Sequence, residues 1–586
     1  MLVDTVGRVW YPWLTPQSES IVVAQIVLVP APMRLTGGDL VTPDGSSPRV
    51  RRSLTELQDE HAKGNTKPLD DLMRAWQGIK ALEPDNPKSF FALGGLHGEP
   101  FRGAGWGSNQ YWGGYCNHGN VLFPTWHRMY VLKLEEALQS IDGCHHVMMA
   151  FWDETADHGD DPEQTVIPWA LTDAMYDFGK GEIVPNPLRS FVFNRKITDF
   201  IGNDVVNYSK PKNYETVRYP LSGLVGTEAD RDKTTAHNAK YPDYEENVKI
   251  LDANVRAWLD SEIVVKKKPI PTGVRQKYED CLDAPNYTLF SNTSSAAQWN
   301  NDHDPKPPIV PIESPHNSIH LAIGGYDGPG FDRSPISGAN GDMGENDTAG
   351  LDPIFFFHHC FIDRVFWLWQ TKHGFTDHVE VMDGYVGTNS VDGQGATPGV
   401  PPNSWLTLDS PLNPWKRNDG TPHTSRDCLN IEAQLGYTYG PGSLDELVKP
   451  RLMAAAAEQG GSQKTIRVTG LDRAAIRGSF LIAAYATVGG ERHQVGSEAV
   501  LSRWSVAGCA NCQSHLQARA FMGLTAFPEE TLADAKFTVE VRTRDEVLVS
   551  DEVAPGDAHP AGEGKVRRLR ASGGPSAPKA FRVEIR

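Results

Sequence analysis

Cysteine is scarce in this chain. Seven cysteines are spread over 586 residues, and only Cys509 and Cys512 stand close together. A protein held together by a framework of disulfides carries many closely spaced cysteines. The sequence therefore argues against such a framework and favours folding in a reducing, intracellular environment.

Long apolar runs are also lacking. The N-terminus has no basic start followed by an apolar segment, because Asp4 and Arg8 interrupt it, so no secretory signal is predicted and a cytoplasmic location is expected. The apolar stretch 21–29 contains Gln25 and is far too short to cross a bilayer. Residues 20–31 fit an early strand instead, and no membrane partner is expected.

Positive charge is in deficit. Lys and Arg total 56 against 74 Asp and Glu, which gives a formal net charge of −18 and argues against nucleic acid as a partner. Hydrophobic residues make up 39% and charged residues 22%, as is usual for a globular protein. The length predicts two or three structural units and leaves open assembly into homo-oligomers.

Apolar spacing predicts three helices in the first three quarters of the chain. They cover residues 69–82, 127–141 and 353–370. Asp352 and Pro353 are suited to the start of the third helix, as cap and first-turn residue. Residues 155–310 and 376–425 are rich in Pro, Gly, Asp and Asn, so we expect long surface excursions there.

The composition changes after Tyr439. Strand-like runs then appear at 465–468, 479–488, 536–543, 547–550 and 581–585. We predict a mainly α domain over residues 1–445, built as a helix bundle with long loops. A linker over 446–463 and a β-sandwich-like domain over 464–586 follow it.

Two groups among the 19 histidines stand out by their apolar surroundings. The first group is His97, His118 and His127, and the second is His316, His320 and the adjacent pair His358 and His359. His316 and His320 are four residues apart, so on a helix they share one face, and Gly324-Gly325 is suited to ending that helix. An imidazole buried without a partner costs roughly 1–3 kcal/mol, and a shared metal ion removes that cost.

The type of ligand limits the choice of metal. All-imidazole sites suit copper, zinc, iron and nickel, and no Asp or Glu stands where a carboxylate-bearing iron or zinc triad needs one. Two histidine-only triads favour copper, and zinc remains the alternative.

The motif DPIFFFHHCFID at residues 352–363 resembles the type 3 copper family, and within it the long tyrosinases of fungal type. The resemblance runs from about Arg51 to Tyr439; it is strongest in the two histidine blocks and weak across 155–310. It implies two copper ions per chain, with O2 and small phenols or catechols as partners. The implied reactions are ortho-hydroxylation of monophenols and oxidation of o-diphenols to o-quinones, the chemistry of melanin biosynthesis.

The same resemblance implies the metal ligands. They are His97, His118 and His127 for the first copper and His316, His320 and His359 for the second. Apolar spacing does not choose between His358 and His359; the family pattern, with the ligand four before Asp363, favours His359. Phe355, Asp363 and Arg364 are implied to pack against the ligands or to orient them.

Family members also suggest roles for four nearby residues. Cys116 would form a thioether with His118; the alternative is a buried free thiol. Glu313 and Asn317 would hold a water that deprotonates a monophenol, or they are simply first-turn residues of a helix. Glu154 departs from the family, which usually has an aromatic residue there.

Long tyrosinases carry a C-terminal lid, and the resemblance implies one here that keeps the enzyme latent. Cys509 and Cys512 suit a disulfide, a redox pair, half a zinc site completed by His515, or a copper-transfer site, and the resemblance favours copper loading. Trp504 or Phe521 would plug the substrate cavity. Tyr437 and Tyr439 resemble the motif that closes the catalytic domain, or are exposed strand residues.

Three other functions remain open from the sequence. A catechol or o-aminophenol oxidase would lack monophenol hydroxylation, and a haemocyanin-type oxygen carrier would lack catalysis. A dinuclear zinc hydrolase would use the same histidines with another metal.

Overall fold

A computed structural model describes most of the chain after residue 46. The described residues are 47–98, 114–159, 164–198, 209–223, 228–265, 267–333, 341–390, 400–448, 464–507, 509–544, 546–555 and 581–586. The strand expected at 20–31 and most of the expected linker lie outside them. Among the described helices, none has the length and hydropathy needed to cross a membrane.

The described residues contain fourteen α-helices, nearly all before residue 448. They are α1 (Leu54–Ala62), α2 (Lys67–Ala81), α3 (Phe90–Gly95), α4 (Phe123–Gln139), α5 (Glu228–Asn238), α6 (Tyr244–Asp260), α7 (Val274–Cys281), α8 (Tyr287–Ser291), α9 (Thr293–His303), α10 (Glu313–Gly324), α11 (Ile354–His373), α12 (Ile431–Leu435), α13 (Ala510–Gln513) and α14 (Glu529–Leu532).

Seventeen strands lie in the same residues, and the longest ones follow residue 464. They are β1 (Arg49–Arg51), β2 (Met175–Asp177), β3 (Ile183–Pro185), β4 (Ile197–Thr198), β5 (Ser209–Lys210), β6 (Glu262–Val265), β7 (Lys268–Pro271), β8 (Pro411–Lys416), β9 (Pro422–Thr424), β10 (Tyr437–Tyr439), β11 (Thr465–Asp472), β12 (Phe480–Val488), β13 (Glu491–Val500), β14 (Gln517–Gly523), β15 (Lys536–Arg542), β16 (Val547–Val549) and β17 (Arg582–Ile585).

The three predicted helices are confirmed as α2, α4 and α11, with ends shifted by one to four residues. The predicted cap is wrong by one residue: Pro353 is at the N-cap position of α11, and the Asp352 carboxylate accepts from the backbone N–H of Ile354 at 3.2 Å and pairs with Arg218. The helix α10 ends at Gly325, whose φ of 117° is left-handed and suits glycine. These helices pack around one large hydrophobic cluster.

The expectation of long surface excursions over 155–310 is wrong for much of that range. Five helices, α5 to α9, lie between residues 228 and 303. In α6 the buried residues Leu251, Val255, Trp258 and Leu259 recur at helical spacing and form part of the large cluster. The surrounding Asp, Asn and Pro residues hide this stripe from a reading by composition.

The β-rich part, residues 464–586, contains two antiparallel sheets. Their strand orders are β13-β12-β15-β16 and β14-β11-β17. Side chains from both sheets form a second hydrophobic cluster, which confirms the sandwich-like arrangement. The strands β13 and β14 were not predicted, because β13 opens with four polar residues (ERHQ) and polar residues alternate with alanines at the start of β14.

The helical part, residues 47–448, packs directly against the β-rich part. Leu481, Tyr485 and Trp504 belong to the same large cluster as the helices. The two parts therefore share buried apolar surface, which the hydrophobic effect stabilises.

The buried carboxylate of Asp363 ties together distant segments of the helical part. It accepts from the guanidinium groups of Arg128 and Arg51, and from the hydroxyls of Tyr437 and Tyr439 at 2.6 Å each. The two arginines hold the pKa of Asp363 below its usual value despite burial. The strand β10, which carries both tyrosines, pairs in parallel with β1, which carries Arg51.

We predict that Asp363→Asn lowers the free energy of unfolding by about 3–5 kcal/mol, because it leaves buried guanidinium charge uncompensated. Chemical denaturation followed by circular dichroism measures the change. The control is Asp283→Asn, which removes the exposed partner of Lys372 and should cost under about 1 kcal/mol. Equal effects of the two substitutions would contradict the proposed role of Asp363.

Candidate dinuclear metal site

Three histidines of the helical part form the first group. His97 follows α3, His118 lies in the loop before α4, and His127 lies on α4 itself. All three are buried, with ring centroids 5.1 to 5.7 Å apart. The Nδ1 of His97 donates to the carbonyl of Asn346 (3.2 Å), and that of His127 to the carbonyl of Phe123 (2.8 Å).

Three histidines from α10 and α11 form the second group. The Nε2 atoms of His316 and His320 lie 3.2 and 3.4 Å from the Nε2 of His359. The Nδ1 of His320 donates to the carbonyl of Met343 at 2.7 Å, and the Nδ1 of His316 to the amide oxygen of Asn317 at 2.9 Å. These bonds at Nδ1 turn each Nε2 toward the shared centre.

The two groups adjoin each other. The rings of His127 and His359 stack with centroids 4.5 Å apart, and those of His118 and His316 are 5.6 Å apart. Phe355 packs between the groups, with its ring centroid 4.0 Å from that of His359 and 4.9 Å from that of His97. Six buried imidazoles from separate segments therefore meet in one cluster.

The chemistry of these atoms fits metal ions. The Nε2 atoms of His97, His118 and His127 are buried and have no hydrogen-bond partner among the described residues. Burial lowers the pKa of every imidazole in both groups, to about 3 for His127. The rings are therefore neutral, which is the state that ligates a metal. The three histidines of the second group and a fourth histidine beside them are close enough to one another to hold one ion.

The fourth of these is His358, which faces a residue that departs from the family. Its Nδ1 lies 2.6 Å from a carboxylate oxygen of Glu154, and the hydroxyl of Tyr278 donates to the other oxygen. Burial raises the pKa of Glu154 well above its usual value. The Nε2 of His358 has no partner in the described part of the chain. Sequence reasoning found Glu154 but did not foresee its pairing with His358.

Cys116 lies beside the first group as a buried free thiol. Its sulfur and the ring nitrogens of His97 and His118 lie within 4.8 Å of one another. The amide of Asn346 donates to this sulfur at 3.6 Å, and Arg503 of the β-rich part at 3.8 Å. A thioether to His118 stays a prediction.

Glu313, the first residue of α10, points back toward the loop of the first group. Its carboxylate accepts from the backbone N–H of Gly119 and Thr293 at 2.8 Å and from the Thr293 hydroxyl at 2.9 Å. Burial raises the pKa of Glu313. Asn317 lies one turn later on α10. Its amide oxygen accepts a hydrogen bond from the ring of His316, not from Glu313.

The predicted orienting residues Asp363 and Arg364 act at a distance from the imidazoles. Asp363 binds Arg128, the neighbour of His127 in sequence, and so fixes α4 against α11. Arg364 donates to the carbonyl of Gly440 and to the carboxylate of Asp445. Both residues anchor helices that carry histidines.

The β-rich part covers the first group through two residues that sequence reasoning did not select for this role. The amide of Asn511 donates to the carbonyl of His118 at 2.9 Å and accepts from Asn120 at 2.7 Å. The ring of His515 lies so close to Gly119 that a Cβ there would come within 2.7 Å of it. The spacing of Asn511 and His515 from the CxxC motif was the only signal in the sequence.

The structure shows the contacts of the four predicted lid residues. Cys509 and Cys512 form a disulfide with each other. The backbone N–H of Trp504 donates to Asp347 at 2.8 Å, and its ring stacks with Arg544. Phe521 lies on β14 and lines a groove that contains no histidine.

Comparison with known proteins identifies the family. A family model described as the common central domain of tyrosinase matches residues 87–372. Tyrosinase HcTyr2 from Hahella sp. is 51% identical over 525 residues, which cover 86% of this chain and 93% of that protein. The chain belongs to the tyrosinase family. Another family member, a tyrosinase from Aspergillus oryzae, is 43% identical over 526 residues, 84% of this chain and 93% of its own.

Solved tyrosinase structures share this fold. The tyrosinase from Burkholderia thailandensis at low pH is 50% identical, with a TM-score of 0.72 over 85% of this chain and 95% of that one. A mutant Aspergillus oryzae pro-tyrosinase matches with a TM-score of 0.56 over 87% and 95% of the two chains, and its 17% identity shows the fold alone. The prediction of a long tyrosinase is confirmed.

We predict that the metal-stripped chain loses stability steeply below about pH 6.5. The folded state keeps these imidazoles neutral, whereas the unfolded state binds protons as pH falls through the ordinary histidine pKa. Each histidine of this kind contributes about 1.4 kcal/mol per pH unit. Urea denaturation at pH 7.5, 6.5, 5.5 and 4.5 measures the slope.

His127→Phe should make that slope shallower by about 1.4 kcal/mol per pH unit, since it removes one buried imidazole. His303→Phe, which replaces an exposed histidine, is the control and should leave the slope unchanged. A flat pH profile between 6.5 and 4.5 would show that the imidazoles take up protons in the folded state.

Proposed function

We propose that this tyrosinase-family enzyme ortho-hydroxylates monophenols and oxidises o-diphenols to o-quinones at a pair of copper ions. The observation that carries the proposal is the meeting of six buried, neutral imidazoles in two adjoining groups, three of them with an unpartnered Nε2. As a member of its family the chain is a type 3 copper enzyme of the polyphenol oxidase class.

The proposed ligands are His97, His118 and His127 for one copper and His316, His320 and His359 for the other. The convergence of three Nε2 atoms favours His359 over His358 as the third ligand of the second ion. The Nδ1 of His358 pairs with Glu154 and its Nε2 has no partner among the described residues, so His358 stays the alternative ligand. Two groups made only of imidazoles favour copper over the zinc of a hydrolase as the bound metal.

Copper bound there supplies the redox reaction with O2, and the chain supplies the geometry. The carbonyls of Asn346, Phe123 and Met343 fix three ring orientations through Nδ1. Phe355 gives the site an apolar wall and excludes water from the space between the groups. The Glu313 carboxylate is the proposed acceptor of the phenolic proton, through a water beside Asn317.

A second candidate function, oxidation of catechols or o-aminophenols without monophenol hydroxylation, is favoured by one observation. The Glu313 carboxylate already accepts three hydrogen bonds from Gly119 and Thr293. These hydrogen bonds already occupy the oxygens to which a catalytic water would have to donate. An o-diphenol does not need this base as much as a monophenol does.

We also propose that the intact chain is latent. The contacts of Asn511 with the His118 carbonyl and of the His515 ring with Gly119 support a β-rich part that blocks access to the first group. Copper loading through Cys509 and Cys512 would require prior reduction of their disulfide, since the thiolates are the copper ligands. A cytoplasmic location and any oligomeric assembly stay predictions.

His127→Ala and His320→Ala should each abolish oxidation of L-DOPA and lower bound copper by about one ion per chain, because each removes one ligand of a triad. Metal analysis by mass spectrometry and the rise of quinone absorbance measure the two effects. His303→Ala is the matched control. Full copper content with full turnover in both variants would refute the ligand assignment.

Glu313→Gln should lower kcat for L-tyrosine about 100-fold while changing kcat for L-DOPA less than tenfold, since general-base assistance is worth about 10²–10⁴. The copper content of this variant is the control for site integrity. Wild-type protein that oxidises L-DOPA but not L-tyrosine, even after removal of the β-rich part, would favour the second candidate function.

Limited proteolysis after about residue 440 should raise the rate of L-DOPA oxidation at least tenfold, because it frees the face that Asn511 and His515 cover. Asn511→Ala should raise the rate of the uncut chain to a smaller extent. Asn65→Ala, at an exposed position between α1 and α2 and away from the β-rich part, is the control. A rate unchanged by cleavage would contradict latency.

A further inference from the structure

A cavity of about 300 Å³ lies at the joint between the helical part and the β-rich part. Its lining includes Thr293, Asn317, Arg473, Glu498, His515 and Arg519. This volume is in the range of small-molecule sites in proteins. We name it the Arg473 cavity.

Arg473 is a buried cation that forms no ion pair with the described residues. It is 8% exposed, and its Nε has no hydrogen-bond partner in the part of the chain that the structure describes. One of its terminal nitrogens donates to the carbonyl of Leu501 at 3.4 Å. Burial lowers the pKa of Arg473 to about 10, so the group stays charged at neutral pH. An uncompensated buried charge of this kind costs several kcal/mol unless a counter-ion binds.

A second arginine lines the same cavity. Arg519 lies on β14, is half-buried, and forms no ion pair among the described residues. Its strand neighbours alternate in burial, so Gln517 and Arg519 share the face that looks onto the cavity. Two arginines thus line the Arg473 cavity.

The acidic groups nearby are already engaged. Glu498 accepts from Lys277 at 3.1 Å and from the Ser314 hydroxyl at 2.7 Å. Glu313 accepts from Gly119 and Thr293. Both carboxylates attract the Arg473 guanidinium electrostatically, but neither forms an ion pair with it among the described residues. The remaining titratable group that faces the cavity is the imidazole of His515. Burial lowers the pKa of His515 well below the usual value, so this ring is uncharged.

The cavity borders the second histidine group at Asn317. Asn317 lines the cavity, and its amide oxygen accepts from the Nδ1 of His316. An aromatic ring that extends from the cavity past Asn317 would therefore point at the second histidine group.

We propose that the Arg473 cavity is an anion site that binds the carboxylate of an aromatic acid through Arg473 and Arg519. Guanidinium groups bind carboxylates with charge-assisted, often bidentate hydrogen bonds. The link to turnover rests on the proposed function, whereas the anion site itself does not. The site makes carboxylate-bearing phenols preferred ligands of the intact chain.

Calorimetry on the intact, copper-loaded chain tests the site with 3-phenylpropionate, which has no oxidisable hydroxyl. We expect the acid to bind at least tenfold more tightly than neutral 3-phenylpropanamide. Arg473→Gln and Arg519→Gln should each weaken the acid about tenfold or more, the loss typical for a hydrogen bond to a charged group. Arg582→Gln, an exposed arginine on β17, is the matched control and should leave affinity unchanged.

Inorganic phosphate is the second probe, because a free anion would use the same guanidinium groups. Phosphate should displace 3-phenylpropionate only at higher concentration; displacement at equal or lower concentration would contradict the aromatic acid as ligand. Thermal unfolding shows whether Arg473→Gln still folds. If it does not, the partly exposed Arg519→Gln decides. Affinity unchanged in Arg519→Gln and in folded Arg473→Gln would overturn the site.

A kinetic arm separates this inference from the proposed function. Each arginine variant should raise the Michaelis constant for the catechol acid 3-(3,4-dihydroxyphenyl)propionate about tenfold relative to that for neutral 4-methylcatechol, with kcat for the acid little changed. Arginine-dependent binding without any phenol oxidation would refute the function and leave the site standing. Phenol oxidation without arginine dependence would do the reverse.

Discussion

The structure depends on keeping a cluster of imidazoles neutral inside an apolar core. Seven histidines, His358 included, lose most of their affinity for protons because the surrounding side chains exclude water. Backbone carbonyls accept hydrogen bonds from the Nδ1–H groups of three of them, which leaves the lone pairs at Nε2 facing inward. Buried imidazoles with unpartnered nitrogens are costly by themselves, and metal ligation is the interaction that offsets such a cost.

One short loop holds both halves of this cluster. Residues 341–352 carry the carbonyls of Met343 and Asn346, which orient His320 and His97. Buried Asp342 anchors the loop, accepting from Lys210, from the Tyr214 hydroxyl and from the backbone of Val217. The same loop bonds the β-rich part, since the backbone N–H of Asn346 donates to the carbonyl of Ser502 at 3.3 Å. A shift of the β-rich part would therefore act on both histidine groups together.

Helices with clear apolar stripes, and the histidines on them, were predictable from the sequence because burial and spacing are local properties. The β-strand β13 and the helices α5 to α9 were not, since their buried residues are interspersed with polar ones. The pairing of Glu154 with His358 joins residues 204 positions apart, and no local pattern indicates it. Trp504 and Phe521 were chosen as plugs for their bulk, but the side that an aromatic residue faces depends on the register of strands, which only the folded chain defines.

The parallel pairing of β1 with β10 joins the two ends of the helical part. Its first and last strands lie side by side, and Arg51 from one and Tyr437 from the other are stacked with the guanidinium carbon 3.6 Å from the ring centroid. The segment that leads to the β-rich part follows β10 in the chain. Cutting that segment therefore leaves β1 and β10 paired with each other. Removing the β-rich part would nevertheless uncover the apolar surface that Leu481, Tyr485 and Trp504 bury against the helices.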